Sequence, residues 1–499
     1  MKSLINTCGL VLLLCISASA QSIPTSPADA VRLAAKAEDC GCESQPVPEV
    51  LAIVNGIKIT NAELAANPRI KQLQREVIET RKQEVELQIN SLLLEAEARR
   101  LGTNTTALLQ TEIIGKVKAP TEAEAQAFYD QNKAKINAEF ASVQSEILSY
   151  LKGEREREAA KAYAQRLRAA AKITVSPLPV TAPASKQDLA RVFATVNGKN
   201  ITSGDVEESL KPLIFSVQEQ TFSLRKQEVD QRINDVLLEH EASKRGITTK
   251  ALVEAEIGSK TGGVTDIDAE QFYQKNKERL NGNFPTLKTQ IIQYLVEQRK
   301  REQEQALAER LRSGAKLQLF LIEPQPPLYT IAIDDQPLRG NPAATTTVVV
   351  FTDLQCPACA ELHPIVERLI GVYGERIKFV IRDYPLNQHK EAMMAAVAAE
   401  AAREQGKYWE YVAILFQNQS ALQVDKLKEY ATRLKLEQAK FDQALLSDRL
   451  KEKVQRDQMD GSKIGVNGTP AIFINGRRFA DRSYEGLHAA LNASLTNKR

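Results

Sequence analysis

The sequence predicts a multidomain protein of the α plus α/β class, with two mainly helical repeats ahead of a C-terminal α/β domain that carries a helical insertion. Three observations predict it. The first half of the chain repeats itself, the hydrophobic pattern turns to alternating strand and helix near residue 326, and a close cysteine pair sits where a strand gives way to a helix. At 499 residues the chain exceeds one core and accommodates about three domains at roughly 150 residues each. Apolar and charged fractions of 43% and 26% are those of ordinary globular protein, which excludes a collagen-like or disordered chain. The 66 basic and 63 acidic residues nearly balance at a net +3, so nothing asks for a polyanion and nucleic acid is not an expected partner.

The first element is a signal peptide, residues 1–20. Lys2 supplies a positive start, Gly9 to Ile16 a short apolar run, and Ala18-Ser19-Ala20 a small-residue cleavage site before Gln21. Nothing later approaches the ~20 apolar residues of a membrane helix. Leu14 stands where a small residue belongs before a lipid-modified cysteine, which argues against Cys15 as a lipoprotein anchor. The expectation is a cleaved, periplasmic or secreted protein. Cleavage removes Cys8 and Cys15 and leaves two close pairs, Cys40-Gly41-Cys42 and Cys356-Pro357-Ala358-Cys359. Four cysteines are too few to staple a chain of this length, so chemistry is the expected use.

Residues 21–49, rich in Ser, Pro and Ala, read as a flexible leader. Proline clusters at Ser176–Ser185 and Glu323–Pro327 stiffen and extend the chain. They divide it into 50–175, a linker 176–191, 192–321, and a C-terminal block 322–499.

The first two blocks are copies. Val54-Asn55-Gly56 returns as Val196-Asn197-Gly198, 142 residues on. Arg81-Lys82-Gln83-Glu84-Val85, Phe128-Tyr129 and Tyr150-Leu151 return 144 residues on, after a two-residue shift. A near-constant register over about a hundred residues marks a duplication. Each copy opens with an apolar strand, an Asn-Gly turn suited to positive φ, and Ile-Thr, whose threonine (Thr60 or Thr202) caps the following helix. Long amphipathic runs then end at Leu101-Gly102 and Arg245-Gly246. Phe140, Val143, Ile147, Leu148 and Leu151 mark one face of a final long helix, and Glu154-Arg155-Glu156-Arg157 beyond them reads as a solvated face.

The Val-Asn-Gly-x-x-Ile-Thr opening, the Leu-Leu-Glu-x-Glu-Ala-x-x-x-Gly helix end and the late Phe-Tyr helix resemble the chaperone module of SurA-type periplasmic proteins. The resemblance covers most of 50–175 and 192–320. It implies a surface that holds unfolded polypeptide. No segment has the length or pattern of a parvulin domain, so prolyl isomerisation is not implied. The alternative is a pair of spacers that place the third block.

In that block Thr345–Phe351 is an apolar β-branched run, a buried strand by pattern. It leads through Asp353-Leu354-Gln355 into Cys356-Pro357-Ala358-Cys359 and a helix through Leu362 and Val366. One helical turn brings two such sulfurs within bonding distance. Cys356 at the helix start faces free N–H groups and the positive dipole end, which favour thiolate, and Pro357 is tolerated there. Cys356 is the expected exposed nucleophile and Cys359 the buried resolving thiol. A zinc site would need two more ligands, and the four histidines show no paired spacing. No metal or cofactor is expected.

Val466–Gly476 carries Thr469-Pro470 ahead of the apolar Ile472-Phe473-Ile474. Between the two motifs lie the strand Ile377–Ile381 and a helical stretch from about 389 to 460. Phe-x-Asp-x-x-Cys-Pro-x-Cys, the helical insertion and the late Thr-Pro closely resemble the DsbA family over about 326–499. That resemblance implies a thioredoxin fold, a cis Thr469–Pro470 bond opposite the cysteines, and a periplasmic dithiol that forms or reshuffles disulfides. DsbA carries a histidine where this chain has Ala358, so the pair is expected to be less oxidising. His363, one turn beyond Cys359, is expected to be a packed or surface residue, and Trp409 to pack in the insertion.

Cys40 and Cys42 remain, as a candidate accessory redox pair. In a flexible leader they would visit Cys356 and Cys359 or a client; metal capture or a link to another chain are the alternatives. The expected partners are unfolded or thiol-containing exported polypeptides and a membrane redox partner that recycles the cysteines. A dedicated reductase and a non-enzymatic holdase stay open.

Overall fold

The computed structural model describes residues 40–42, 47–64, 67–177, 179–261 and 263–496. The expected signal peptide, its cleavage site, Cys8 and Cys15 lie outside the described residues, as does most of the leader. The chain forms two compact units. Among the described residues, one comprises those within 42–75 and 216–324; the other comprises those within 40–41, 76–215 and 325–496.

In the smaller unit, β1 (Val50–Val54) and β2 (Ile57–Thr60) make a hairpin whose turn holds Asn55 at φ 51° and Gly56 at φ 87°. Both turn residues thus occupy the left-handed region that Asn-Gly tolerates. The long helix α1 (Pro68–Arg100) follows, then α2 (Thr105–Glu112), α3 (Glu122–Asn132), α4 (Phe140–Ala170) and the strand β3 (Ile173–Val175). Copy two runs through β4 (Val192–Val196), β5 (Lys199–Thr202), α5 (Ser203–Lys244), α6 (Asp266–Asn276), α7 (Phe284–Ser313) and β6 (Leu317–Leu319).

The strands cross between copies. β6, which ends copy two, pairs antiparallel with β1 of copy one, and Leu51, Ala52, Val54 and Ile59 pack on Val229, Ile233, Val236 and Leu237 of α5. In the larger unit β3, which ends copy one, pairs with β4 of copy two, and Phe193, Ala194, Val196 and Ile201 pack on Val85, Ile89 and Leu93 of α1. The two blocks expected from the sequence therefore do not close as separate modules. A lone two-stranded hairpin is marginal in water. Each hairpin here gains its third strand and its helical support from the other copy.

Duplication preserved the aromatic contacts. Phe128–Tyr150 and Phe272–Tyr294 have ring centroids 5.2 and 5.3 Å apart, and the hydroxyls of Tyr129 and Tyr273 donate to the carbonyls of Ala138 and Gly282. Helix starts differ. Thr202 caps α5, with its Oγ1 accepting from the Asp205 N–H, whereas Asn67 caps α1 through the Arg69 N–H and Thr60 instead donates to Glu63. In copy two the helix starts directly after Thr202, whereas in copy one it starts only at Pro68, which suits a first helical position.

The C-terminal block is an α/β domain around a five-stranded sheet ordered β11-β10-β8-β9-β7. Its strands are β7 (Leu338–Gly340), β8 (Thr346–Thr352), β9 (Ile377–Asp383), β10 (Ala471–Ile474) and β11 (Arg477–Phe479). Only β8 and β9 are parallel, joined by α8 (Pro357–Tyr373). Five helices, α9 (Ala392–Arg403), α10 (Tyr408–Gln417), α11 (Val424–Arg433), α12 (Gln438–Leu445) and α13 (Asp448–Lys463), separate β9 from β10, and α14 (Tyr484–Thr496) closes the domain. Val348, Val350, Phe379 and Ile381 face the larger helical core, while Val349, Phe351, Val380 and Phe473 face a smaller one with Tyr329 and Tyr384. α13 lies close enough to that second face that a Cβ at Gly461 would stand 2.9 Å from Phe351 and Tyr384.

Candidate active site

β8 is buried along its length and delivers the chain, through Asp353, Leu354 and Gln355, to the start of α8. Cys356 is the residue before the first helical turn, with φ −76° and ψ 123°, and Pro357 occupies the first helical position. The turn is built around a buried carboxylate. Asp353 Oδ1 accepts from the Gln355 N–H at 2.7 Å, Oδ2 accepts from the Leu386 N–H at 2.8 Å, and His389 Nδ1 stands 2.7 Å from the same oxygen. Gln355 Oε1 accepts from the Glu391 N–H, so the segment after β9 is tied to the cysteine loop at two points. Gln419 donates to the carbonyls of Leu354 and Cys356 from the helical insertion. None of Asp353, His389, Gln355 and Gln419 was assigned a role from sequence. Asp353 stood inside the quoted motif, but nothing in the spacing points to partners 33 to 65 residues away.

Both cysteines are reduced. Cys359 is 2% exposed and its sulfur accepts from the Asp353 N–H at 3.5 Å. Cys356 is 7% exposed, which corrects the expectation of an openly exposed nucleophile. The loop before β10 covers it: Cys356 Sγ stands 3.5 Å from the Thr469 carbonyl oxygen. The Thr469–Pro470 bond is cis, and the Thr469 carbonyl is the one that meets Cys356, whose helix begins at Pro357 and holds Cys359 one turn on. The buried Thr469 hydroxyl beside them helps to lower the pKa of both thiols.

The two thiols are driven apart in acidity. The hydrogen bond from Cys359 is the largest influence on Cys356; together with Thr469 and the N–H groups of Cys359 and Ala358 it outweighs burial and lowers the thiol from 9.0 to about 5. The same hydrogen bond, joined by burial, pushes Cys359 far upward. One sulfur is thus a thiolate at neutral pH and the other a thiol. His363 stacks on Phe416 with centroids 5.0 Å apart, and burial lowers its pKa; it is a packed histidine. Trp409 packs beside Phe379 and Tyr408.

Cys40 and Cys42 are placed otherwise than expected. Each is 3% exposed and disulfide-bonded. Arg81, 1% exposed and paired with Glu207 at 2.6 Å, donates to the Cys40 carbonyl at 2.9 Å. Gly41, at φ 60°, presses so closely on Ala182 that a Cβ has no room. A loose leader carrying a roaming redox pair is therefore not what the structure has at 40–42: burial and the Arg81 hydrogen bond fix this segment.

Residues 333–493 match the family model described as Thioredoxin. The chain is 36% identical over 168 residues to a Na(+)/H(+) antiporter NhaA 3 of Salinispora tropica, covering 33% of this chain and 26% of that protein. A Na(+)/H(+) antiporter NhaA of Herminiimonas arsenicoxydans is 33% identical over 164 residues, covering 32% and 26%. The chain thus spans about a quarter of the length of the curated relatives it matches. Among solved structures it is similar to oxidised BdbD from Bacillus subtilis, at 22% identity and TM-score 0.31 over 34% of this chain and 96% of that one. A thioredoxin-like oxidoreductase from Silicibacter pomeroyi gives 24% identity and TM-score 0.29, over 33% and 94%.

Proposed function

We propose that this protein is a DsbA-like thiol–disulfide oxidoreductase of the periplasm, which forms or reshuffles disulfides in unfolded exported polypeptides. The observation that carries the reading is the split pair: a thiolate-favouring Cys356 at a helix start, beside a Cys359 held as thiol. In the oxidising direction a client thiolate attacks Cys356 Sγ of the enzyme disulfide. The Cys356–Cys359 bond breaks, Cys359 leaves with the electron pair and takes a proton, and a mixed disulfide forms. A second client thiolate then attacks the client sulfur, so the client leaves as disulfide and Cys356 as thiolate. The client is oxidised by two electrons and the enzyme reduced by two. A membrane redox partner would recycle the dithiol.

The helical repeats, SurA-like in their motifs, would hold the client and raise its local concentration at Cys356. Sodium–proton antiport is no part of the reading, because the chain matches only about a quarter of the antiporters' length. The test is oxidation of a reduced two-cysteine peptide by stoichiometric oxidised protein. The reading expects full conversion, none with Cys356→Ser, and a trapped mixed disulfide with Cys359→Ser. Suppression of aggregation that survives in a wild type unable to oxidise the peptide would establish the holdase alternative instead.

A further inference from the structure

The backbone of one residue meets both cysteines. The Asp353 N–H donates to Cys359 Sγ at 3.5 Å, and the Asp353 carbonyl accepts from the Cys356 N–H at 3.1 Å. How this residue is held therefore decides what the buried sulfur faces. Its side chain is 1% exposed and anchored at both oxygens: the Gln355 N–H donates to Oδ1, and the Leu386 N–H and His389 Nδ1 both meet Oδ2. A carboxylate only accepts, so Nδ1 of His389 carries the hydrogen. Asparagine would not serve, because its amide N–H₂ would turn against one of these donors.

Both donors to Oδ2 come from the segment after β9, 33 and 36 residues along the chain. That segment is itself tied down. The Tyr384 N–H donates to the Thr352 carbonyl at 2.7 Å, Gln458 of α13 donates to the Pro385 carbonyl at 2.6 Å, and the His389 N–H donates to the Leu386 carbonyl at 2.9 Å. The His389 ring, 21% exposed, closes this frame on the buried carboxylate from the solvent side.

We infer that His389 is a positioning residue for opening of the disulfide: through the Asp353 carboxylate it holds the Asp353 N–H on Cys359 Sγ, where negative charge appears as the bond breaks. When an attacking thiolate bonds to Cys356 Sγ, the Cys356–Cys359 bond breaks and its electron pair goes to Cys359 Sγ. The Asp353 N–H is in place before the reaction begins. It stabilises the departing sulfur without giving up its hydrogen, as preorganised donors do. The sulfur then takes its proton from water. In the reverse direction the same N–H steadies the Cys359 thiolate that attacks a mixed disulfide. The hydrogen bond with Cys356 and burial push the Cys359 thiol up, and the Asp353 N–H works against both.

This inference rests on the proposed oxidoreductase reading, and the experiment separates the two. Oxidised full-length protein is reduced by glutathione at neutral pH, and the reduced protein is alkylated with iodoacetamide at the same pH. The first reaction places charge on Cys359; the second takes place at the Cys356 thiolate and places none there. His389→Ala is expected to slow reduction about 3- to 10-fold and to leave alkylation at the wild-type rate. His389→Asn, whose amide N–H can stand where the Nδ1–H stood, is expected to restore reduction. Asp353→Ala is expected to slow reduction about 10- to 100-fold, and adding His389→Ala to it to cost nothing more. The half-exposed His389 decides the matter if Asp353→Ala does not fold. Reduction of His389→Ala at the wild-type rate, an equal loss in reduction and alkylation, or a His389→Asn protein as slow as His389→Ala overturns the positioning role. A wild-type disulfide that glutathione does not reduce would instead remove the oxidoreductase reading itself.

Discussion

Replacing Cys359 by alanine tests the electrostatics of the site through one removed contact. The hydrogen bond from Cys359 is the largest influence lowering the Cys356 thiol to about 5; Thr469 and the N–H groups of residues 358 and 359 supply the rest. A hydrogen bond to a charged group contributes about 1.5–3 kcal/mol, and one pKa unit corresponds to about 1.4 kcal/mol. Losing the Cys359 S–H should therefore raise the Cys356 pKa by about one to two units, still below the free thiol because the backbone donors remain. The assay is the ultraviolet absorbance of the thiolate in the reduced Cys359→Ala protein, titrated beside wild type with Cys356→Ser as blank. A midpoint unmoved from about 5 would refute the reasoning and assign the thiolate to the helix start alone.

Four further outcomes follow from the same structure. Alkylation of Cys356 in the reduced protein should rise through pH ~5 and level off, since the thiolate is the reacting form. A lowered folded pKa adds stability to the reduced protein that is complete above the unfolded thiol value of 9.0 and is lost as pH falls to about 5; denaturant midpoints of reduced against oxidised protein should converge in that direction. Arg382→Met should destabilise the protein by about 3 kcal/mol in urea, because Asp457 loses a 2.8 Å partner while buried and keeps Lys453 only at 3.6 Å. Gly461→Ala should cost about 1–3 kcal/mol by the same measure, since the added Cβ meets the Phe351 and Tyr384 rings at 2.9 Å.

Local chemistry was legible in the sequence and long-range packing was not. The Asn-Gly turns at 55–56 and 197–198, the helix ends before Gly102 and Gly246, and the strand that delivers Cys356 all follow from a few adjacent residues. The exchange of β3 and β6 between copies escapes such reading, because similar hairpins fit similar helices and the sequence does not say which copy each will choose. Cys40 and Cys42 looked loose for a similar reason: the buried Arg81 that holds Cys40 lies 41 residues on. The motif around Cys356 exposed the reacting pair but not Asp353–His389, whose members meet only once β9 lies beside β8.

The most direct test of the central claim is the reduction potential of the Cys356–Cys359 pair, by equilibrating the protein in graded glutathione buffers. A Cys356 pKa near 5 lies between those of a strong oxidant and a reductant, about 3.5 and 7. The account accordingly predicts a potential between roughly −120 and −200 mV, where the enzyme disulfide passes to clients. A value near or below about −270 mV would contradict it and make the pair an electron donor.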